Sequence, residues 1–178
     1  NLEALVGTIR SAVEQARSNS EEKIHAALVS VPAAQAKSFT SRGVVAIASR
    51  DKVVSQRDLQ QVLETVSSVQ IPPGQSIIHA LPQEYTLDGQ EGIQDPVGMT
   101  GARLEASAHI VTVPRQTAQH VVSAVNRAGI EAVSLVYPQL AAAEAVLSSE
   151  ERDQGVFLID CGGGTTDLAL FERGALWY

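Results

Sequence analysis

The stretch VFLIDCGGGTTDLALF, residues 156–171, constrains this chain more than any other. Two short apolar runs, Val156–Ile159 and Leu168–Phe171, enclose an acidic residue, three consecutive glycines, two threonines and a second acidic residue. Short apolar runs bounded by polar residues or glycine are the mark of buried strands. The segment is therefore predicted to be a β-hairpin with Gly162, Gly163, Gly164 and Thr165 at its tip. Glycine takes positive φ freely, and bare backbone N–H groups that converge on an anion make a nest suited to phosphate. Asp160 ends the first strand, where a carboxylate is placed to hold a hydrated Mg²⁺. Magnesium favours one or two carboxylates together with its own waters and phosphate oxygens. The Thr165 hydroxyl is placed to bond a phosphate oxygen.

Two better-known phosphate loops are excluded. A Walker A loop needs a lysine after its glycines and then a helix; here no lysine follows, and the next run reads as a strand. A dinucleotide fingerprint opens a helix, whereas this stretch opens a strand. Two readings remain: a phosphate-clasping hairpin, or an ordinary glycine-rich turn between core strands. Asp160 and Asp167 favour the first, because acids at both ends of a tight apolar hairpin need a reason.

With 178 residues the chain is long enough for a real core and for one or two domains. A net charge of -7 argues against a nucleic-acid partner. No apolar run approaches the ~20 residues of a membrane span, and no stretch reads as a signal peptide. The single cysteine forbids an internal disulfide and fits a reducing cytoplasm. Aromatic residues are only 4%, so the core must be built from Val, Leu, Ile and Ala. Both ends of the chain read as cut, and it is expected to be a fragment of a longer protein.

Taken in order, Leu2, Leu5, Val6, Ile9 and Val13 lie on one helical face, predicting a helix to about Ala16 that Ser18, Asn19 and Ser20 end. Ile24–Val31 is a predicted strand closed by Pro32. Lys37–Thr40 and Gly43–Ser49 are two short strands, or one broken at Ser41 and Arg42. Arg50–Lys52 reads as a boundary. Ser55 and Asp58 form a capping-box variant before a helix with Leu59, Val62, Leu63 and Val66 on its apolar face. Ile71–Gly74 stops that helix. Ser76–Leu87 reads as a strand that Pro82 demotes to an edge or a bend. Asp88-Gly89 and Glu91-Gly92 are turn signals. Leu104–Val113 alternates as a half-buried strand. A helix through Ala118, Val121, Val122, Val125 and Ala128 ends at Gly129. Ile130–Tyr137 supplies a strand, and Pro138 opens an alanine-rich helix over Leu140–Leu147. Glu150–Gln154 is a solvated turn, and Glu172-Arg173-Gly174 a hairpin turn. Residues ~50–136 thus read as a compact helix–strand–strand–helix–strand insert in an α/β chain.

Several single residues have bland explanations. His25, His79, His109 and His120 lack metal-ligand spacing. Cys161 has no histidine near it in sequence and reads as a loop thiol rather than a nucleophile. Glu84 and Glu91 read as surface or turn residues.

The segment from Ile159 to Asp167, preceded by the helix AAAEAVLS at 141–148, resembles the second phosphate loop of the actin-like ATPases. The strings LPQEY (81–85), DGQEGI (88–93) and PVGMTGARL (96–104) narrow the resemblance to the FtsA family of bacterial cell-division proteins, along nearly all of the chain. The resemblance implies a partial actin-like (ribonuclease H-like) fold with an α+β insert. Residues 1–49 and 137–153 would belong to subdomain 1A, 50–136 to the family's interaction subdomain 1C, and 154–178 to the start of subdomain 2A. It also implies ATP and Mg²⁺ as ligands of the intact protein, with Asp160 near the metal and γ-phosphate and Gly162, Gly163, Gly164 and Thr165 as the phosphate loop. Glu144 falls where actin has a water-positioning glutamine, and Asp167 bonds the loop. The implied protein is at most a weak ATPase. It polymerises with itself, tethers FtsZ filaments to the inner membrane at the division site and recruits later division proteins. FtsZ and membrane contacts would lie outside this stretch, which by itself is expected to bind ATP weakly or not at all. A sugar- or acetate-kinase-type phosphotransferase and the pilus-assembly actin homologue are the alternatives.

Overall fold

The computed structural model describes residues 2–18 and 23–178. The order of elements is α1 (Leu2–Ser18), β1 (Ala26–Ser30), β2 (Lys37–Ala46), α2 (Gln56–Ser67), β3 (Gln75–Leu87), β4 (Gln90–Ile93), β5 (Arg103–Pro114), α3 (Arg115–Arg127), β6 (Glu131–Val136), α4 (Pro138–Val146), α5 (Ser149–Gln154), β7 (Val156–Cys161), β8 (Thr166–Glu172) and β9 (Ala175–Leu176). The strands make three sheets, ordered β2-β5-β3-β4, β1-β6 and β7-β8-β9. The helix–strand–strand–helix–strand order expected over 50–136 is present, with β4 added. The predicted stop of α1 at Asn19 and Ser20 lies outside the described residues.

Grouping in space follows a different line from that order. β2 pairs antiparallel with β5 over all ten of its residues, from Lys37↔Thr112 to Ala46↔Arg103. The sheet therefore reaches back before residue 50. At the other end, β6 pairs in parallel with β1 and α3 packs on α1, so neither joins the four-stranded sheet. Arg10 Nη2 donates to Arg127 O at 2.8 Å, and Arg127 pairs with Glu3, which ties α1 to α3. The result is a strand–helix–strand–strand module, β2-α2-β3-β5 with the β4 hairpin, set between two pieces of a second unit.

Inside the module the local signals act as read. Ser55 and Asp58 form a reciprocal capping box at the start of α2. Two hydrogen bonds from Ser55 to the Asp58 carboxylate hold its pKa below the ordinary value. Val62 and Val66 of α2 meet Val45, Ile47, Leu104, Ala106, Ala108 and Ile110 in the main core. Ser41 does not break β2, because its hydroxyl donates to Val66 O at 3.1 Å and so buries without loss. Asp88 and Gly89, with φ of 49° and 87°, make the two-residue hairpin between β3 and β4. Positive φ at both central residues is the type I′ geometry that matches strand twist. Pro82 lies on the stretch of β3 that β4 does not cover, beside a register shift between Pro82 and Glu84, where a missing N–H does least harm.

Three expectations change. Glu91 and Gly92 fall within β4 rather than in a turn. Glu150–Gln154 is part of a short helix, because Ser148 and Glu151 make a second capping box that satisfies its first N–H groups. β5 is half-buried only near Glu105. From Ala106 to Val113 every residue is buried, because α2 covers one face while Val113 meets Val31 and Ala118 on the other.

Gly43 is where α2 comes closest to the sheet. A Cβ there would meet Val66 Cγ2 at 2.7 Å, Val66 N at 2.9 Å and Val62 O at 3.0 Å. Two of these are helix backbone, so the whole of α2 would have to move. Gly43→Ala is expected to lower the unfolding free energy by about 1–3 kcal/mol, the size of a core overpacking. In the same urea melts Gly7→Ala, at a helical position with nothing within 4 Å, should leave stability unchanged or raised.

Candidate functional site at the glycine hairpin

β7 and β8 pair in register from Val156↔Phe171 to Cys161↔Thr166, which leaves residues 162–165 as the loop. One face of this hairpin packs against α4. There Ala143, Ala169, Phe171 and Leu176 form a small core joined by Leu81 from β3. The other face is open: Phe157 is 63% exposed, Ile159 59% and Leu168 45%. The strands predicted as buried are thus buried on one side only, since α4 covers a single face of the three-stranded sheet.

The loop sharpens the choice between a phosphate nest and an ordinary turn. None of Gly162, Gly163 and Gly164 has a φ in the left-handed region, so turn handedness does not explain them. At Gly162 an added Cβ would sit 3.2 Å from Thr165 O, and Gly162 N donates to that same oxygen at 2.9 Å, so the loop itself needs this glycine. At Gly163 and Gly164 an added Cβ would meet nothing within 4 Å. Neither backbone conformation nor packing within the chain requires glycine at these two positions.

The acids sit where the sequence placed them. Asp160 and Asp167 are directly opposite each other across the strands. Like charges in that arrangement repel, and neither carboxylate has a basic partner among the described residues. Asp167 Oδ2 accepts a hydrogen bond from Thr165 Oγ1 at 3.1 Å, as the resemblance implied for Asp167. The donor set suits a magnesium–phosphate unit: two carboxylates, a hydroxyl and an uncrowded backbone loop. Among the described residues no group of three or more His, Cys, Asp or Glu converges, so any such ion would lean on phosphate oxygens as well. Cys161 is exposed. Glu144 lies on α4 with its carboxylate paired to Arg152 of α5.

Residues beyond the sequence reading also gather here. Tyr137, just before α4, faces a crevice beside the start of β8, together with Thr166 and Asp167. Burial first, then the nearby Asp167 carboxylate and the Tyr178 phenol, push the Tyr137 hydroxyl pKa up. Tyr137 N donates to His79 Nε2 at 2.9 Å, so a histidine of the module fixes the entry to α4. A second link is Gln83, whose Nε2 donates to Leu176 O at 3.0 Å. The bulge that tucks Gln83 toward β9 had no signal in sequence except the neighbouring Pro82.

Comparison with known proteins fits this arrangement. A family model described as the SHS2 domain inserted in FtsA matches residues 33–112, which is the β2-to-β5 module. The cell division protein FtsA of Pseudomonas aeruginosa is 40% identical over 176 residues, 99% of this chain and 42% of that protein. The chain belongs to the FtsA family. FtsA of Neisseria meningitidis is 38% identical and that of Escherichia coli K12 34%, each over 99% of the chain. The chain spans about 42% of the length of such relatives. In structure, a chain of the PilM–PilN type IV pilus biogenesis complex matches 96% of this chain and 46% of its own length, with a TM-score of 0.62 at 11% identity. That likeness is one of fold, and the FtsA segment has the partial actin-like α/β architecture. No described helix is long and apolar enough to cross a membrane.

The His79 contact makes the seam acid-sensitive. Burial lowers the His79 pKa, and Nε2 must be unprotonated to accept from Tyr137. The unfolded chain, with a histidine pKa of about 6.5, then binds more protons than the folded one just below that pH. The stability contribution is whole above about 6.5 and lost as pH falls. Urea midpoints measured from pH 7.5 to pH 5 should drop in the unmodified protein and drop less in His79→Gln. The remaining dependence is due in part to His109, whose pKa burial also lowers.

Proposed function

We propose that this chain belongs to an actin-like, nucleotide-binding scaffold of cell division, with a phosphate-binding hairpin at 156–171 and a partner-binding module at 33–112. The single observation that carries the nucleotide reading is the pair Gly163 and Gly164, which have ordinary φ and empty surroundings. An approaching phosphate gives them a reason, because only a bare backbone lets its oxygens reach the N–H groups. In this reading Gly162–Gly164 and Thr165 hold phosphate oxygens. Asp160 holds Mg²⁺ through water, with Asp167 fixing the Thr165 hydroxyl. Bound Mg²⁺ supplies charge neutralisation between the carboxylates and the phosphates. Glu144 takes up a water-positioning role only if it leaves Arg152, so hydrolysis in the intact protein is at most slow. The intact protein polymerises, tethers FtsZ filaments at the inner membrane of the division site and recruits later division proteins through the module. FtsZ and the membrane are met by parts of the protein outside these residues.

Two measurements on the full-length protein test this. Gly163→Ala should leave thermal stability unchanged or slightly raised, by up to about 1 kcal/mol, while Mg-ATP affinity falls at least roughly tenfold, equivalent to about 1.4 kcal/mol. Unchanged affinity would sink the phosphate reading. For the module, Lys37 and Thr112 are neighbours across the strands, so residues 37–112 can be replaced by a short glycine linker. That variant should lose recruitment of later division proteins and keep FtsZ co-sedimentation; the reverse pattern counts against the assignment.

A further inference from the structure

We infer that Lys37, at the root of the module, is a phosphate contact of the nucleotide and ties the module to the ligand state of the hairpin. The inference rests on the nucleotide reading above. A crevice of about 540 Å³ lies between the first residues of β2, the residue before α4 and the start of β8. Lys37, Tyr137, Thr166, Asp167 and Tyr178 line it. Thr166 directly follows the glycine loop and pairs with Cys161, so the crevice begins at the residue next to the proposed phosphate nest.

Charge points the same way. The hairpin carries Asp160 and Asp167 and no basic residue of its own. A nucleoside di- or triphosphate retains negative charge after binding one Mg²⁺, and cations beside phosphate oxygens give charge-assisted hydrogen bonds. Among the described residues, Lys37 is the only basic one lining the crevice. Its ammonium makes no ion pair among the described residues, which leaves it available.

The position of Lys37 in the chain gives the contact a consequence. Lys37 is the first residue of β2, and Thr112 Oγ1 donates to its carbonyl oxygen at 3.2 Å, pinning the point where both module strands leave the second unit. A phosphate held by Lys37 braces that root against the hairpin. The same root reaches the seam through β3, whose His79 and Gln83 hold Tyr137 and Leu176.

The test uses full-length protein, Lys37→Gln, and Gly163→Ala as a second variant. A fluorescent ATP analogue and ADP report binding with Mg²⁺ present, and hydrogen exchange reports on the peptide spanning residues 36–42. In the unmodified protein, nucleotide should slow exchange in that peptide. Lys37→Gln should weaken both nucleotides by at least about tenfold, the loss of one charge-assisted hydrogen bond, and abolish the protection at saturating nucleotide, with an unchanged melting temperature without ligand. Lys37→Arg should restore most of the affinity. If Gly163→Ala weakens binding while Lys37→Gln does not, the Lys37 contact is overturned and the hairpin reading stands. If the unmodified protein binds neither nucleotide, both fall together.

Discussion

The double pairing of β5 is the constraint on which the rest depends. β2 lies on one edge of it and β3 on the other, so nearly all its backbone groups are satisfied within one sheet. That satisfaction lets a twelve-residue strand bury both faces, since unpaired amide groups in an apolar setting are expensive. One face receives α2 through the Gly43 contact. The other receives α3 and the seam toward α4. Without β5 the module would lose its core and the second unit would lose its neighbour.

The seam between module and hairpin is polar where it is specific and apolar where it is strong. Leu81 joins the core of Ala143, Ala169, Phe171 and Leu176. Around it, His79 and Gln83 accept and donate single hydrogen bonds at 2.9 Å and 3.0 Å. Such bonds add little net stability but penalise misplacement, because a buried partner left alone loses its hydration. Among the described residues, Gln139 and His109 carry buried side-chain atoms with no hydrogen-bond partner.

Much of the local structure was legible. Periodicity located α1, α2 and α3, and the capping pair Ser55–Asp58 and Gly129 marked helix ends because caps act within a few residues. The hairpin and its acids were placed correctly, since a glycine run between apolar strands has few other solutions. Less legible was everything set by distant pairing. β2 looked broken at Ser41 and Arg42 because the Val66 carbonyl that buries the Ser41 hydroxyl is 25 residues away. The alternation in β5 predicted one wet face because nothing local announces the α3 cover. Tyr137 and Lys37 carried no local signal, as their neighbours come from other elements.

By itself, the sequence determined most of the elements and the chemistry of the loop: which residues are glycine, which are acids, and in what order. Those depend on side-chain identity and spacing over a few residues. Tertiary structure alone decided three things. It put β2 in the sheet of β5 and paired β6 with β1, so the four-stranded sheet draws on residues before 50. It also showed that Gly163 and Gly164 answer to no need of the chain's own, because only in the folded chain is it seen that φ is ordinary and the space beside them open. Strand pairing and empty space are relations between residues far apart in sequence, and a linear pattern does not encode them.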